Sequence, residues 1–384
     1  MFIIRQARLD DLSTLLKLAK MVHFINLPAD KEIIAGKIVH SQQCFLRAAG
    51  GAAPDAGESA AASSNGAVGL REAVTRADQF MFILEDTDTG VCLGTSQIMA
   101  HMGGPGNPNF SFKLSRREFF SKSLQTGTSH IVAKLYADES GPTEIGGLIL
   151  QPASRGHRLG RFLSLIRFHF IGLHRAIFAD RVIAEMMAPI TLDGQNMLWE
   201  YLGRRFIPLS YTEADKHCQR SREFISALLP PEDIYLSLLP PEARDVVGRV
   251  HEETVPARKM LEKLGFRYKD AVDPFDGGPH LEAATDQISV VTATSTVPLG
   301  DPLAEGAPAN RRAFVSRVDT DGEFRAVETE YATDAKGRVR LPKAIVGAMG
   351  WKAGWPVGVT PIDNSPRRKP AKQSGGSKPK KVKS

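Results

Sequence analysis

The chain has 384 residues, 42% of them hydrophobic, enough for a sizeable core and for two or three structural units. The formal charge of +6 sits at the end: residues 365–384 hold eight Lys/Arg and no acid, leaving 41 basic against 43 acidic residues before them, so a nucleic-acid-binding body is not indicated. Three scattered cysteines without a CxxC, no apolar run of membrane-spanning length and no apolar signal core at the N-terminus argue against a disulfide scaffold and a membrane protein, and leave a soluble cytoplasmic protein as the expectation.

FIIRQA (2–7) reads as a short strand. Asp10 or Asp11 then caps a helix in which Leu12, Leu15, Leu16 and Ala19 share one face. Residues 48–69 are small and polar and form a flexible insertion. FMFILEDTDTGVCLGTSQIMA (80–100) predicts a β-hairpin that turns at Asp88, Thr89 and Gly90. HIVAKLYA (130–137) and EIGGLILQP (144–152) are expected to form a second strand pair.

RGHRLGRFLSLIRFHF follows at 155–170. Leu159, Phe162, Leu163, Ile166 and Phe170 recur at helical spacing and predict an amphipathic helix over 157–173. RVIAEMM (181–187) is the next strand. MLWEYLGRRF (197–206) and KMLEKLGFRY (259–268) share E-x-L-G. They are either a partial internal repeat or two helices ended by Gly203 and Gly265 before strands. The composition shifts near 290, and 336–362 suggests strands around one short helix. The expected organisation is a main domain over 1–290, a small β-rich unit over 291–363 and a disordered basic tail over 364–384.

The loop at 155–161 has the chemistry of a pyrophosphate cradle. The first amides of a helix are unpaired, and the helix dipole makes that end positive. Glycines let a phosphate reach the main chain, and Arg155, Arg158 and Arg161 add charge. Ordinary helices also open on glycines and basic residues. The preceding strand favours the anion reading, and the lack of GK[ST] separates it from nucleotide hydrolysis.

R-G-x-x-x-G between strand and helix resembles the acyl-CoA signature of the GNAT superfamily of N-acetyltransferases, usually R-G-x-G-x-G, with Arg158 where the middle glycine is common. IRQARLDDLSTLLKLA resembles that superfamily's first strand and helix. A narrower set of motifs, LEDTDTG, EIGGLILQP, RFLSLIRFHFI, VIAEMM, WEYLGRRF, ARDVVGRVH, PARKMLEKLGFRY and DPFDGGPHLEAATDQI, resembles the arginine N-succinyltransferase family in order and spacing. The likeness covers most of 1–290 and continues more weakly to about 362. The 48–69 insertion and the tail depart from it, and HMGGPGNPNFSFKL (101–114) follows it loosely.

The resemblance implies an α/β fold: a mixed, mostly antiparallel GNAT-like sheet flanked by helices. It implies succinyl transfer from succinyl-CoA to the α-amine of arginine or ornithine, the first step of arginine catabolism, with no permanently bound cofactor. Leu148 matches the family's succinyl-CoA position, where its backbone would polarise a carbonyl; it also reads as a core strand residue. His251 matches the proton donor, and a histidine there also reads as a capping residue. The loop residues Arg155, Gly156, Arg158, Gly160 and Arg161 are the CoA-binding set. Glu185, Asp273 and Asp276 have the carboxylates to hold a guanidinium or ammonium. No metal site is expected, since HExxH and paired CxxC are absent. The likeness also makes a homo- or hetero-oligomer an expectation.

Two alternatives remain open. One is an N-acyltransferase with another acyl-CoA or amine. The other is a DNA-associated regulator with a degenerate acyltransferase body. TDAKGRVRLPKAIVGAMGWKAG resembles the swapped-hairpin module of transition-state regulators, and a polybasic tail that can touch nucleic acid follows it.

Overall fold

A computed structural model describes residues 1–21, 27–50, 77–155, 158–191, 194–218, 221–304, 306–309 and 311–362. The tail from 364 onward and residues 51–69 of the expected insertion lie outside the described residues. Residues 48–50 close a long helix.

Among the described residues fifteen strands form one sheet. In chain order they are β1 (Phe2–Gln6), β2 (Gln79–Asp86), β3 (Val91–Met99), β4 (Asn109–Ser121), β5 (Thr126–Asp138), β6 (Thr143–Leu150), β7 (Arg181–Glu185), β8 (Ile234–Tyr235), β9 (Arg267–Val272), β10 (Pro279–Ala284), β11 (Ser295–Pro298), β12 (Arg311–Val318), β13 (Phe324–Thr333), β14 (Val339–Arg340) and β15 (Pro356–Pro361). Across the sheet the order is β11-β15-β12-β13-β1-β2-β3-β6-β7-β10-β9-β4-β5-β8, with β14 beside β13. Among the described strands only β6 and β7 pair in parallel. The principal helices are α1 (Leu12–Met21), α2 (Lys31–Ala48) and α3 (Leu159–Leu173). The sheet is mixed, mostly antiparallel and flanked by helices, as expected.

Several local expectations change. Asp11 does not cap α1: its carboxylate is turned back onto buried Arg5 (2.7 and 2.8 Å) and the Arg8 amide (2.8 Å). The strands at 130–137 and 144–152 do not pair with each other. β5 pairs along its length with β4, and β6 inserts between β3 and β7. Residues 101–114 concealed the start of β4, whose 13-residue hairpin with β5 outcompetes the nearer partner. Gly203 ends no helix: it lies within a continuous helical turn, and a Cβ there would come within 2.3 Å of the Trp199 ring. Gly265, with φ +103°, is a true helix terminator. Its following residue, Phe266, donates back to Leu261 O.

The helix α3 is not amphipathic. Leu159 and every residue from Phe162 to Ile171 are buried. One flank meets the sheet, where Ser96 Oγ donates to Leu163 O (3.0 Å). The other meets the C-terminal strands, where Phe162 stacks on Phe314 at 5.2 Å. Edge-to-face rings of Phe45, Phe80, Phe82 and Phe170 anchor the main core. Each fully buried ring is worth ~1.5–3 kcal/mol of burial.

The segment after 290 extends this same sheet. β13 pairs with β1 from Ile3↔Val327 to Arg5↔Arg325, and Ile3 joins the second core built on Val315, Leu341 and Trp351. The strand-helix-strand stretch likened to a DNA-binding module uses its last strand, β15, to pair with β11 and β12 of its own chain. No described helix is long and apolar enough to cross a membrane.

Candidate active site

The strands β6 and β7 pair only at Thr143↔Val182 and Glu144↔Ile183, although both continue beyond. On its other edge β6 stays with β3 as far as Leu150, but the register shifts between Thr95 and Gln97. Gly147 and Leu148 therefore oppose the single residue Ser96. This is a β-bulge, with Gly147 at φ +56°. The result is an opening between two parallel strands, floored by irregular backbone at Leu148. The Leu148 side chain packs against the main core, so its side chain and backbone serve different ends.

The chain leaves β6 through a short turn (Pro152–Ser154) and Arg155 and enters α3 at Arg158. Gly156 lies outside the described residues. Arg158 has a left-handed backbone (φ +59°, ψ +4°), which explains why glycine would be common at this position. Its carbonyl accepts from the amides of Arg161 (3.0 Å) and Phe162 (3.2 Å), and its side chain caps nothing. The amides of Leu159 and Gly160 have no acceptor among the described residues. A Cβ at Gly160 would meet only Leu150 Cδ2, at 3.6 Å. Arg155 and Arg158 are exposed, while half-buried Arg161 lies 5.9 Å over the Phe314 ring. Burial lowers the Arg161 pKa; nearby Glu328 opposes this and the cations Arg158 and Arg312 reinforce it.

His251 begins the turn Glu252–Thr254. Its amide donates to Met187 O (2.8 Å), two residues past the end of β7. Its Nδ1 accepts from the Glu253 amide (3.3 Å), so the neutral ring carries its proton on Nε2. Arg155 reaches Glu253 with two contacts of 3.3 Å, and this hydrogen bond holds the Glu253 carboxyl below its usual range. The 251–253 turn is thus tied to the chain leaving both strands: to Met187 beyond β7 and to Arg155 beyond β6.

Glu185, Asp273 and His280 come together from β7, the end of β9 and the start of β10. One donor atom of each lies within 4.8 Å of the others. Asn109 Nδ2 donates to Glu185 Oε1 (2.8 Å), and Arg222 steadies Asn109 (3.0 Å). The buried Nε2 of His280 has no hydrogen-bond partner among the described residues and stands 3.8 Å from Glu185 Oε1. Burial, with Asp276 and Glu185 nearby, pushes Asp273 up to about 8. Burial also raises Glu185 and lowers His280. The set is suited to a positive charge, organic or metallic. The scattered histidines concealed this gathering, as they concealed Asn109 and Arg222; no local motif announces it.

Asp276 does different work. Its two oxygens accept from the amides of Ala188 (2.9 Å) and Gly278 (2.6 Å), bracing the exit of β7 against the 276–278 turn. Burial raises it to about 6. An open cleft of about 590 Å³ lies elsewhere, at the base of the β4–β5 hairpin between Arg116, His130, Arg244 and Asp270, and contains none of these residues.

Comparison with known proteins gives the family and the fold. Residues 2–290 match the family model described as arginine N-succinyltransferase beta subunit. Proteins named arginine N-succinyltransferase from Escherichia fergusonii and Escherichia coli are each 35% identical over 280 residues, covering 72% of this chain and 79% of theirs. The structure of arginine/ornithine succinyltransferase subunit AI from Pseudomonas aeruginosa superposes with a TM-score of 0.75 at 26% identity, over 95% of this chain and 99% of that one.

Proposed function

The chain belongs to the arginine N-succinyltransferase family, and from that premise we propose that it transfers the succinyl group of succinyl-CoA to the α-amine of arginine, with ornithine as the second acceptor. The step opens arginine catabolism, in the cytoplasm. Three unpaired cysteines, Cys44, Cys92 and Cys218, suit that compartment. Assembly into an oligomer is part of the proposal, since the Pseudomonas neighbour is described as a subunit.

The CoA pyrophosphate lies on the amides of Leu159 and Gly160, with Arg155, Arg158 and Arg161 around it. The pantetheine arm runs through the opening between β6 and β7. The thioester carbonyl meets the bulged backbone at Leu148, which stabilises the charge that develops on its oxygen. The α-amine, deprotonated, attacks the carbonyl carbon. The carbon–sulfur bond breaks; the proton that the amine nitrogen sheds as the amide forms is relayed to the departing thiolate, with Nε2 of His251 donating to sulfur and the ring taking up that proton in its place. Glu185 and Asp273, with His280 between them, hold the positive end of the amino acid. Asp276 acts by bracing the Ala188 backbone.

The observation that supports this reading best is the 251–253 turn, which touches Arg155 beyond β6 and Met187 beyond β7 and so keeps His251 near the chain leaving both strands. A free-thiol release assay over a matrix of CoA esters and amino acids tests it. The greatest kcat/KM is expected for succinyl-CoA with arginine. A maximum at another ester or amine selects the broader N-acyltransferase reading instead.

A further inference from the structure

Two arginines are buried among the described residues, and the chain treats them oppositely. Arg5 is held between Asp11 (2.7 Å) and Glu85 (2.5 Å). Arg167, in the middle of α3 and only 3% exposed, has no carboxylate partner among the described residues. Its Nε donates to Ser164 O (3.0 Å), its Nη2 to Ser164 Oγ (2.8 Å) and its Nη1 to Gly146 O (3.3 Å). A guanidinium has five N–H groups, so two remain without a described acceptor. Burial lowers its pKa to about 9, which still leaves it a cation at neutral pH. A buried charge without a counter-ion is costly, and a fold that pairs Arg5 so fully does not leave Arg167 bare without a reason.

Its position supplies the reason. Gly146 lies in β6, two residues before Leu148. One edge of Gly146 is taken by Gln97 of β3, and the other faces the opening that β7 leaves. We propose that Arg167 binds the free carboxylate of the succinyl group and thereby selects a dicarboxylic acyl donor over an uncharged one of the same length. The proposal rests on the succinyl-transfer reading and adds the residue that recognises the acyl group.

The span fits. Two fully extended strand residues cover roughly 6.6 Å, and the bulge at Gly147 brings Gly146 and Leu148 somewhat closer than that. Three carbon–carbon bonds of about 1.5 Å reach ~4 Å between the end carbons of a succinyl group, and an N–H···O contact adds about 2.9 Å. A carbonyl oxygen at Leu148 and a carboxylate on the guanidinium near Gly146 therefore fit one succinyl chain. The paired N–H groups of arginine match a carboxylate in a way that a point charge does not. An uncharged butyryl chain would expel water from Arg167 and leave it unpaired, which is selection by penalty.

Calorimetric Kd values for succinyl-CoA, butyryl-CoA and free CoA, measured without amine, test the proposal in the full chain. The wild type is expected to bind succinyl-CoA at least about tenfold more tightly than butyryl-CoA, and Arg167→Met to bring the two together, a relative loss of about 10–10²-fold. Arg167→Lys should recover part of the preference. Free CoA should bind all three proteins alike. Equal affinities for the two esters in the wild type overturn the proposal even if no variant folds. An undiminished preference in folded Arg167→Met overturns it as well. Failure of the thiol-release assay with arginine would instead strike the succinyl-transfer reading, because these binding measurements involve no acceptor.

Discussion

The two halves of α3 use polar side chains in opposite ways. At the start, Arg155 and Arg158 stand in water and Arg161 is half-buried. Their placement needs only a turn and a helix start, and they act through charge on whatever anion arrives. In the middle, Arg167 and His169 are buried, and each is fixed by specific partners. His169 bridges Thr360 Oγ1 and Ser316 Oγ, both at 2.6 Å, and so joins α3 to β15 and β12. Burial pulls its pKa down to about 3, so it stays neutral. Losses at the exposed end should appear in ligand affinity and turnover, and losses in the buried middle in stability or selectivity. A molecule that mixed these readouts would break the contrast.

The largest effect is expected at the turn bound to the exposed end. His251→Gln can still accept the Glu253 amide but cannot donate a proton near neutrality. Its kcat should fall by roughly 10²–10⁴-fold, and one limb of the pH–rate profile should vanish, with little change in KM for succinyl-CoA. Near-normal kcat with an unaltered profile would return His251 to a purely capping role.

Next comes the loop. Gly160→Asp is sterically tolerated and, at a helix start, electrostatically harmless to the fold. It sets a carboxylate against the phosphates. Combined with Arg155→Ala it should weaken CoA binding by about 10²-fold at low salt, while Tm stays unchanged. Calorimetry showing undiminished CoA affinity would remove the loop from the site.

The smallest effect belongs to the buried half. His169→Ala leaves Ser316 Oγ without its ring partner and Thr360 Oγ1 with Thr294 alone, and should cost about 1–3 kcal/mol of stability, with CoA affinity retained. Its pH dependence has a defined sign. The folded pKa lies near 3 against an ordinary 6.5, so the unfolded chain binds the extra proton between these values. The stabilisation from neutral His169 is complete above pH 6.5 and is lost as pH falls towards 3. Asp273 runs the other way. Its pKa is raised from 3.8 to about 8, so its contribution is complete below pH 3.8 and is lost as pH rises through 8. Denaturant titrations of wild type and His169→Ala should therefore converge on acidification. A pH-independent difference would show that His169 is not the titrating group.

Much of the site was legible where the chemistry is local. A strand, a basic glycine loop and a helix are consecutive in the chain, and the unpaired amides at the helix start follow from helix geometry alone. His251 and Leu148 were singled out only through the resemblance to the family, since a histidine before a turn and a leucine in a strand carry no local signal of their own. The acidic set was only half legible. Glu185 and Asp273 stood out as carboxylates, but Asn109 and His280 carry no local signature and reach Glu185 only across paired strands. Asp276 stood out equally well, yet its oxygens are consumed by two backbone amides. The periodic apolar stripe of α3 predicted one buried face because periodicity cannot report a second layer. β12 and β15 cover the other face from about 150 residues farther along the chain.

The sequence by itself determined the elements that close over short separations: the β2–β3 hairpin, the start of α3 after a basic glycine loop, the short helix near the C-terminus and the membership of an acyltransferase family. Only the tertiary structure decided that β6 parts from β7 after two residue pairs, that β5 turns to β4, and that buried Arg167 has no acidic partner among the described residues while Arg5 has two. Strand partners and counter-ions are chosen among residues far apart in sequence, by whichever pairing buries the most surface and leaves the fewest polar groups unmatched. That competition is settled by the whole fold, and no segment records its outcome.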